Sequence, residues 1–262
     1  VYTHGHHQSV LRSHRWRTAE NSAGDRLPHL EAGQRLLDVG CGPGTITVDL
    51  ARLVTPGEVT AVDRAAEVVE QAEADRPADV ANLTYTVGDV YALDFADDTF
   101  DVVHAHQVLQ HLTDPVRALR EMRRVCRSGG LVAVRDADYH GMCWAPLDPR
   151  LDTWMATYQA VARSNDAEPD AGRFLLGWAL EAGFSDITPS ASVWCYATPD
   201  DRRWWGDVWA ERTVSSSFGE QALERGIAAR GDLDEIAAGW RHWIEQPDGW
   251  FTVLHGEVLA RA

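Results

Sequence analysis

The feature that most constrains the fold is a regular alternation of strand-length apolar runs and helical stretches beginning at Arg35. Apolar runs occupy 35–39, 58–62, 83–87, 100–105 and 131–135, and helical stretches lie near 45–54, 65–75 and 115–127. This alternation is typical of a parallel sheet with right-handed crossovers. It predicts an α/β fold with a doubly wound, mainly parallel sheet, whose ligand crevice lies at the carboxyl ends of the strands.

The regions on either side of this alternation differ from it. Residues 1–30 are polar and rich in histidine, and 9–22 could form a helix. Ten of the eleven tryptophans lie between Trp144 and Trp250. There we predict helices at 151–163 and 172–182, a strand at 187–196, two or three helices between Pro199 and Glu245, and a closing strand at 250–259.

The charge balance restricts the class of ligand. With 24 basic and 40 acidic side chains, the chain carries a formal net charge of −16. Because nucleic-acid affinity depends on basic side chains that neutralise phosphates, this balance argues against a nucleic-acid partner. All 24 basic side chains are arginine, which excludes a lysine Schiff base, a lysine general base and the Gly-Lys-Ser/Thr phosphate loop. Such codon usage points to a bacterial genome of high GC content.

The cysteines and the apolar runs indicate the compartment. The four cysteines are widely spaced and form no CxxC pair: Cys41, Cys126, Cys143 and Cys195. In a chain of this size they indicate reduced thiols rather than a disulfide framework or a zinc site. No signal-peptide core is found in the first thirty residues, and no apolar run approaches the roughly 20 residues of a membrane span. We therefore expect a soluble, cytoplasmic protein without integral membrane association.

The strongest local motif joins the first strand to the following helix. It reads Leu36-Leu37-Asp38-Val39-Gly40-Cys41-Gly42-Pro43-Gly44-Thr45. Its glycines allow positive φ and a close approach of a ligand to the backbone. The spacing is Gly-x-Gly-x-Gly, and Thr45 stands where the dinucleotide fingerprint requires glycine. Because the Asp38 carboxylate repels a pyrophosphate and attracts an ammonium group, the turn predicts a cationic amino-acid ligand.

Three further motifs stand at later strand ends. Val59-Thr60-Ala61-Val62-Asp63 ends in an acid about 20 residues past the glycines, where a carboxylate can hold a ribose diol. Gly88-Asp89-Val90 follows the next strand, and its carboxylate can accept from an adenine amino group. Phe100-Asp101-Val102-Val103-His104-Ala105-His106 leads to His106 and, one turn later, to His111.

In this order the four motifs resemble those of the class I S-adenosylmethionine-dependent methyltransferases, in particular the type 11 family that includes the quinone-biosynthesis C-methyltransferases. The matching segments are LLDVGCGPGT, AVDRA, GDV, FDVVHAHQVLQHL and REMRRVCRSGGLVAV, over about residues 35–136. The resemblance implies a Rossmann-like methyltransferase fold, S-adenosylmethionine as cofactor and S-adenosylhomocysteine as product.

The resemblance also implies roles for the matching residues. The methionine moiety would be held by Asp38, Gly40, Gly42 and Thr45. The adenosine would be held at its ribose by Asp63 and at its adenine by Arg64, Asp89 and Val90. The residues passing beneath the sulfonium and closing the pocket would be Ala105, His106 and His111.

Two of these histidines are candidate catalytic residues. His106 lies nearest to the expected methyl group, as a general base, a substrate contact or a backbone contact. His111 is either catalytic or a packed residue that orders its loop. His104 points to the opposite face of its strand and is expected to be a buried core histidine.

Candidate acceptor contacts lie outside the motifs. In the N-terminal segment, which we expect to form a mobile lid, they are Tyr2, His7, Arg12 and Arg15. Beyond the fifth strand and near the tryptophans of the insertion they are Tyr139, His140, Trp144 and Arg212. The tryptophans at 204, 205, 209, 240 and 243 fit either a core or a pocket for an aromatic or polyketide-like acceptor. No metal site is expected, because the N-terminal histidines lack carboxylate or thiolate partners.

Together these features predict an N-terminal lid over 1–30, an S-adenosylmethionine-binding core over 31–140, and the rest of the sheet over 141–262 with a helical substrate cap at about 199–246. The predicted function is methyl transfer to a small organic acceptor, with O-methylation slightly favoured over C-methylation because histidines crowd the acceptor side. The alternatives are a non-catalytic S-adenosylmethionine-binding regulator and an NAD-dependent oxidoreductase. A nucleic-acid methyltransferase is disfavoured by charge and by the missing Pro-Pro-Tyr/Trp tetrapeptide after Val103.

Overall fold

The computed structural model describes Thr3 and 16–262. Within this part, seven strands form one sheet in the order β3-β2-β1-β4-β5-β7-β6. The strands are β1 Leu36–Val39, β2 Val59–Asp63, β3 Leu83–Val87, β4 Phe100–His106, β5 Cys126–Ala145, β6 Ile187–Tyr196 and β7 Trp250–Arg261. The pairs β3–β2, β2–β1, β1–β4 and β4–β5 are parallel. The predicted α/β class with a mainly parallel sheet is confirmed.

Nine α-helices accompany these strands in the described residues. They are α1 Ala19–Ala23, α2 Thr45–Val54, α3 Ala66–Ala74, α4 Pro115–Val125, α5 Pro149–Arg163, α6 Leu175–Glu181, α7 Pro199–Ser215, α8 Ser217–Glu224 and α9 Arg230–Ile244. The last three confirm the predicted helices between Pro199 and Glu245. Of the helix proposed over 9–22, the structure describes only the end, where α1 begins at Ala19. No described helix has both the length and the apolar character needed to cross a membrane.

Helix α4 begins where the sequence predicts and ends earlier. The Asp114 side chain accepts from the Arg117 amide and Pro115 is the first helical residue, as expected for a capped helix start. The helix was expected to run to residue 127 and end at the glycines that follow. It ends at Val125 instead, because Cys126 is extended and starts β5. Gly129, with a φ of 73°, lies inside β5.

Strand β5 runs ten residues further than the predicted end at 135 and reaches Ala145. It lies between β4 and β7 in the sheet, so it has hydrogen-bond partners on both sides. Three predicted acceptor contacts therefore lie within this strand rather than beyond it: Tyr139, His140 and Trp144. The helix predicted at 172–182 is also divided, into a 3-10 turn at Ala171–Phe174 followed by α6.

The two faces of the sheet carry separate hydrophobic cores. Successive residues of a strand face opposite sides, and in β1 Leu36 belongs to the core formed with α1, α2 and α3. Leu37 and Val39 belong to the other core, formed with α4 and α6. Helices on both faces make the sheet doubly wound, as predicted.

The described chain divides into two compact units. The sheet unit comprises 16–136, Ala171–Ser192 and His255–Ala262, and the aromatic unit comprises Thr3, Ala137–Asp170 and Val193–Leu254. Strands β5, β6 and β7 each continue from one unit into the other along the chain. The predicted division into lid, core and cap stays a prediction.

Candidate cofactor and acceptor sites

The winding of the sheet changes direction between β1 and β4. From β1 the chain proceeds through β2 and β3 on one side, and β4 and β5 lie on the other. In doubly wound sheets the ligand crevice lies at such a switch point, outside the carboxyl ends of the strands. The motif residues at 38–45, 63–64, 89–90 and 105–111 end or follow these strands. The sheet unit therefore brings the predicted cofactor residues to one edge.

The turn after β1 depends on its glycines. Gly40, Gly42 and Gly44 have φ values of 71°, 54° and 76°, in the left-handed region that glycine enters without strain. A Cβ on Gly40 would lie 2.4 Å from Val108, and one on Gly44 would lie 2.1 Å from the Tyr85 hydroxyl oxygen. Gly44 precedes Thr45, the first residue of α2, so the unpaired amides of that helix start lie at the turn.

Asp63 connects this turn to the end of β2. Its Oδ2 accepts from the Gly42 amide at 3.0 Å and its Oδ1 accepts from the Ala65 amide at 3.1 Å. A carboxylate has about four lone-pair positions, so each oxygen retains capacity for a ribose hydroxyl. Asp63 thus fits the ribose role and also holds the glycine turn in place.

The residues after β3 are suited to an adenine ring. Asp89 is exposed, and its Oδ1 accepts from the Tyr91 amide at 2.9 Å, which orients the carboxylate. Val90 is half-buried against the core, and Arg64 is exposed just after β2. An exposed carboxylate beside an apolar side chain provides an acceptor for the amino group and a contact for the ring. The residues present therefore fit an adenosine.

Asp38 lies deeper than the other motif residues. Its side chain is almost fully buried, Oδ2 accepts from the Thr47 hydroxyl at 2.6 Å, and Oδ1 lies 3.8 Å from His104 Nε2. Burial raises the pKa of Asp38 to about 7. These contacts are all in the interior of the sheet unit, so a direct contact with the methionine moiety stays a prediction.

His104 is buried, as its place in the strand predicts. Its side chain is 1% exposed, and Nδ1 contacts the Arg26 guanidinium. Burial, followed by the charges of Arg26 and Arg135, holds the pKa of His104 well below its ordinary value. The expected core histidine is confirmed.

His106, at the end of β4, accepts a hydrogen bond from an arginine. Its Nδ1 lies 3.4 Å from Arg135 Nη1. Because a guanidinium can only donate, Nδ1 accepts and the proton of the neutral ring lies on Nε2. Burial, and then the charge of Arg135, holds the pKa of His106 well below its ordinary value. At neutral pH this imidazole is an uncharged hydrogen-bond donor.

A second histidine beside it is held in the same way. Arg17 donates to Gln107 Oε1 at 2.5 Å, which fixes the orientation of the amide. Gln107 Nε2 therefore donates to His255 Nε2 at 2.8 Å, and the His255 ring stacks on His106 with 6.0 Å between centroids. Sequence analysis missed Arg17, Gln107 and His255, because each pair is joined across 90 residues or more. The one sequence signal for this group was His255, a single histidine within the mainly apolar closing strand.

His111 closes the 3-10 turn at Leu109–His111. Its Nε2 lies 3.1 Å from Gln110 Nε2, an amide nitrogen that donates. Burial lowers the pKa of His111 to about 3, so the ring is neutral at physiological pH. The catalytic roles of His106 and His111 stay predictions, and the lowered pKa values disfavour either ring as a general base.

A buried carboxyl that the motifs did not indicate anchors this turn. Asp136 is fully buried, and its Oδ1 accepts from the Gln110 amide at 3.1 Å. Its Oδ2 has no hydrogen-bond partner among the described residues. Burial raises the pKa of Asp136 to about 7. In the sequence, the only sign of this buried carboxyl is that Asp136 directly follows the predicted fifth strand.

Comparison with known proteins identifies the family. A methyltransferase domain family matches residues 37–134. An uncharacterized methyltransferase of Schizosaccharomyces pombe is 34% identical over 98% of this chain and 95% of its own. The chain belongs to the type 11 S-adenosylmethionine-dependent methyltransferases. It is also 34% identical to the malonyl-[acyl-carrier protein] O-methyltransferase of Erwinia billingiae, over 85% of this chain and 80% of that one.

Solved structures agree on the fold of this methyltransferase. The YcgJ protein of Bacillus subtilis has a TM-score of 0.58 and 20% identity, over 92% of this chain and 98% of that one. At this identity the likeness shows the fold alone.

In the aromatic unit of the methyltransferase, three predicted acceptor contacts join one aromatic cluster. Tyr139 stacks on Tyr158 at 4.0 Å and Trp144 on Phe251 at 5.8 Å between centroids. The Arg212 guanidinium lies 4.6 Å from the Trp209 ring centroid. Five tryptophans of this unit are buried, with side chains only 0–6% exposed at 154, 205, 209, 240 and 243. This burial favours the core interpretation of the stripe.

The other predicted contacts fall in different places. His140 has a side chain 54% exposed and bonded to Asp170. Tyr2, His7, Arg12 and Arg15 lie outside the described residues, as does the histidine-rich stretch around them. Within the described ranges, no three His, Cys, Asp or Glu side chains are grouped so as to hold a metal ion.

Proposed function

We propose that this enzyme transfers the methyl group of S-adenosylmethionine to an oxygen of a small organic acceptor, in preference to a carbon. The observation that carries the proposal is the neutral His106, with its proton on Nε2, at the strand end beside the cofactor turn. Its neighbour Ala105 pairs with Val39 of β1. A donor here suits an acceptor that bears oxygen. The likeness to an O-methyltransferase over 85% of the chain supports the same choice.

Methyl transfer requires the protein to align the acceptor more than to activate the methyl group. The bound cofactor supplies a methyl group on a sulfonium that is already activated, so the protein must align the acceptor and exclude water. In this proposal Asp63 and Asp89 orient the adenosine, and the glycine turn receives the amino-acid part. A neutral His106 can donate to the acceptor without adding charge repulsion towards a sulfonium.

The acceptor is proposed to be aromatic or hydrophobic. The support is the density of flat side chains in the aromatic unit, where Tyr139, Trp144 and Arg212 remain the proposed contacts. A net charge of −16 disfavours a nucleic-acid acceptor. A bacterial, cytoplasmic setting belongs to the same proposal and rests on the all-arginine composition and four free cysteines.

Thermal unfolding with four ligands, followed by a transfer assay, tests the proposal. We expect S-adenosylmethionine and S-adenosylhomocysteine at about 100 times Kd to raise Tm by about 5–10 °C, and NAD and NADP to leave it unchanged. Labelled methyl from the cofactor should then appear on oxygen in a panel of small acceptors. A rise in Tm without transfer to any of them would favour the regulatory alternative. A rise with NAD alone would favour the oxidoreductase.

A further inference from the structure

A buried ion pair in the sheet unit lies beside His106. Arg135 of β5 and Glu257 of β7 have side chains only 2% and 6% exposed, and Arg135 Nε lies 3.1 Å from Glu257 Oε1. The two strands are neighbours in the sheet, although the two residues are 122 positions apart along the chain. Because removing two charges from water is costly, such a pair is stable only where further hydrogen bonds satisfy both partners.

Two serines of β6 provide those hydrogen bonds. Ser190 Oγ donates to Glu257 Oε2 at 2.8 Å, and Ser192 Oγ donates to Oε1. Ser192 Oγ also accepts from Nε and Nη2 of Arg135, at 3.1 and 3.0 Å. The guanidinium is thus held along the edge formed by Nε and Nη2, and its Nη1 lies 3.4 Å from His106 Nδ1. Strands β6 and β7 therefore determine the position of a donor to a histidine of β4.

This contact places a positive charge beside the His106 ring. Burial lowers the pKa of Arg135 to about 10, so the guanidinium is charged at neutral pH. Among the described residues, Arg17, His255 and His104 also face the ring, and their charges lower the pKa of His106 further. With Nδ1 bonded to a donor and the proton on Nε2, the ring has no lone pair left to accept another proton. His106 therefore serves as a fixed donor and not as a base.

The same strand end is packed against the glycine turn of the cofactor edge. Ala105 pairs with Val39 of β1, and a Cβ added to Gly40 would lie 2.4 Å from Val108. His106 lies between these two contacts along the chain, and all of these residues belong to the sheet unit. The ion pair is therefore connected, through His106, to the edge of the sheet at which the cofactor is proposed to bind.

We propose that Arg135, oriented by Glu257, is the positioning residue that holds His106 as a donor, and that the acceptor is a carboxylate. This inference rests on the proposed O-methyl transfer and specifies its substrate class. A carboxylate is ionised at neutral pH, since its pKa is about 4, whereas a phenol has a pKa of about 10 and must lose a proton. The buried acid Asp136 follows Arg135 in β5, so its side chain faces the opposite side of the sheet from His106.

In the proposed step, His106 Nε2 donates to one carboxylate oxygen while the other oxygen bonds to the methyl carbon. The carbon–sulfur bond breaks, and its electron pair stays on sulfur in S-adenosylhomocysteine. The charges balance, because a carboxylate anion and a sulfonium cation give a neutral ester and a neutral thioether. No proton is transferred, so a histidine that only donates is sufficient.

The substrate class is tested with benzoates and phenols that carry the same ring substituents, assayed with methyl-labelled S-adenosylmethionine. The kcat/KM of the wild-type enzyme should be about 10²–10⁴-fold higher for the carboxylates, because the phenols lack the general base that they require. Comparable values for both, or higher values for the phenols, would overturn the proposed class, while O-methyl transfer itself stands. Transfer only to carbon, or no transfer at all, would overturn the proposed function and this inference with it.

Replacement of the ion pair tests the positioning role. Arg135→Met combined with Glu257→Met removes both charges at similar volume, a change that buried ion pairs often tolerate. We expect kcat for the carboxylate to fall about ten- to hundredfold, with little change in KM or in the Kd of S-adenosylhomocysteine. Nitrogen NMR of the labelled imidazoles should show the His106 proton shared between Nδ1 and Nε2 instead of on Nε2 alone.

The matched control removes an exposed ion pair of the same unit. Arg52→Met combined with Asp79→Met breaks a contact of 3.1 Å and should change neither kcat nor the His106 tautomer. The positioning role is overturned if the Arg135 and Glu257 double variant keeps kcat within threefold, or if its His106 keeps the proton on Nε2 alone. Should that variant fail to fold, the same two readouts are taken from Glu257→Gln, which keeps the side-chain volume, and an unchanged kcat there would overturn the role.

Discussion

The histidines of the two compact units are held by opposite kinds of partner. In the sheet unit, His106 and His255 accept from Arg135 and Gln107. In the aromatic unit, His140 Nδ1 donates to the carboxylate of Asp170 at 2.6 Å. Gln159 Nε2 lies farther from this nitrogen, at 3.2 Å, and donates to the same carboxylate at 2.7 Å. A protein donor at a ring nitrogen requires a lone pair on that nitrogen, whereas a carboxylate requires a proton there. The same side chain thus accepts from the protein in one unit and donates to it in the other.

The two units also differ in what their architecture depends on. The cofactor edge of the sheet unit depends on backbone conformation at a few glycines and on carboxylates that hold amides. The aromatic unit depends on large side chains packed against one another. Substitutions should therefore affect the two units by different routes.

The largest effect is expected in the aromatic core. Trp154 is fully buried, with the rings of Trp209 and Trp240 at 4.6 and 4.9 Å between centroids. Trp154→Ala should lower the free energy of unfolding by about 3–5 kcal/mol, because it leaves a large cavity. Trp250, which is 41% exposed, provides the control. Trp250→Ala should change the free energy of unfolding by less than about 1 kcal/mol. Urea unfolding of both variants measures the difference, and similar losses would contradict the core assignment.

A smaller loss is expected from one methyl group at the cofactor turn. Gly44→Ala places a Cβ at a φ of 76° and 2.1 Å from the Tyr85 hydroxyl oxygen. It should destabilise the protein by about 2 kcal/mol and weaken cofactor binding. Gly231→Ala, in α9 with no atom within 4 Å of the added Cβ, should be neutral or slightly stabilising. Equal denaturation midpoints for the two variants would refute the strain argument.

The buried carboxyl of Asp136 should make the free energy of unfolding depend on pH. The pKa of Asp136 is raised to about 7, so the folded state retains a proton that the unfolded state releases near pH 4. Its contribution to stability is present below pH 4 and is lost as pH rises through 7. Asp136→Asn resembles the protonated form, so its stability relative to wild type should rise by roughly 2 kcal/mol between pH 5 and pH 8.

Taking the difference from wild type removes the opposite contribution of the histidines, whose lowered pKa values weaken the fold as pH falls. Asp94→Asn, at an exposed acid, is the control that removes one carboxylate away from the buried turn. A pH-independent difference for Asp136→Asn would mean that Asp136 is ionised in the folded state.

The smallest effect is expected at His106 and His111, whose protonation should not change near neutral pH. Because burial keeps the pKa values of His106 and His111 low, the latter at about 3, neither ring should titrate between pH 5 and pH 8. Nitrogen NMR of the labelled imidazoles should show His106 with its proton on Nε2 throughout. A midpoint near 6.5 for either ring, the ordinary histidine value, would remove the contrast between the two units.

What could be predicted from the sequence follows the same division. The glycine turn and the acids at strand ends are local patterns, because a strand, a tight turn and a helix start require particular residue types in a fixed order. The bounds of α2, β3 and β6 agree with prediction for that reason. The family match over 37–134 covers the glycine turn, α2 and β3.

The remainder depends on contacts that no local pattern encodes. Arg17 contacts Gln107 across 90 residues, and Asp170 contacts His140 across 30. The extension of β5 to Ala145 depends on its place between two strands of the sheet, one of them from the end of the chain. The tryptophans could be counted in advance, but whether they fill a core or line a pocket depends on packing.

Binding of S-adenosylhomocysteine to Asp63→Ala, measured by calorimetry, tests the central claim most directly. Asp63 holds the glycine turn through the Gly42 amide and is the proposed ribose ligand. A hydrogen bond to a charged group contributes about 1.5–3 kcal/mol. Its loss in Asp63→Ala should therefore raise Kd at least about tenfold. Asp94→Ala should bind as tightly as the wild type. An unchanged Kd in folded Asp63→Ala would contradict the placement of the cofactor at this edge of the sheet.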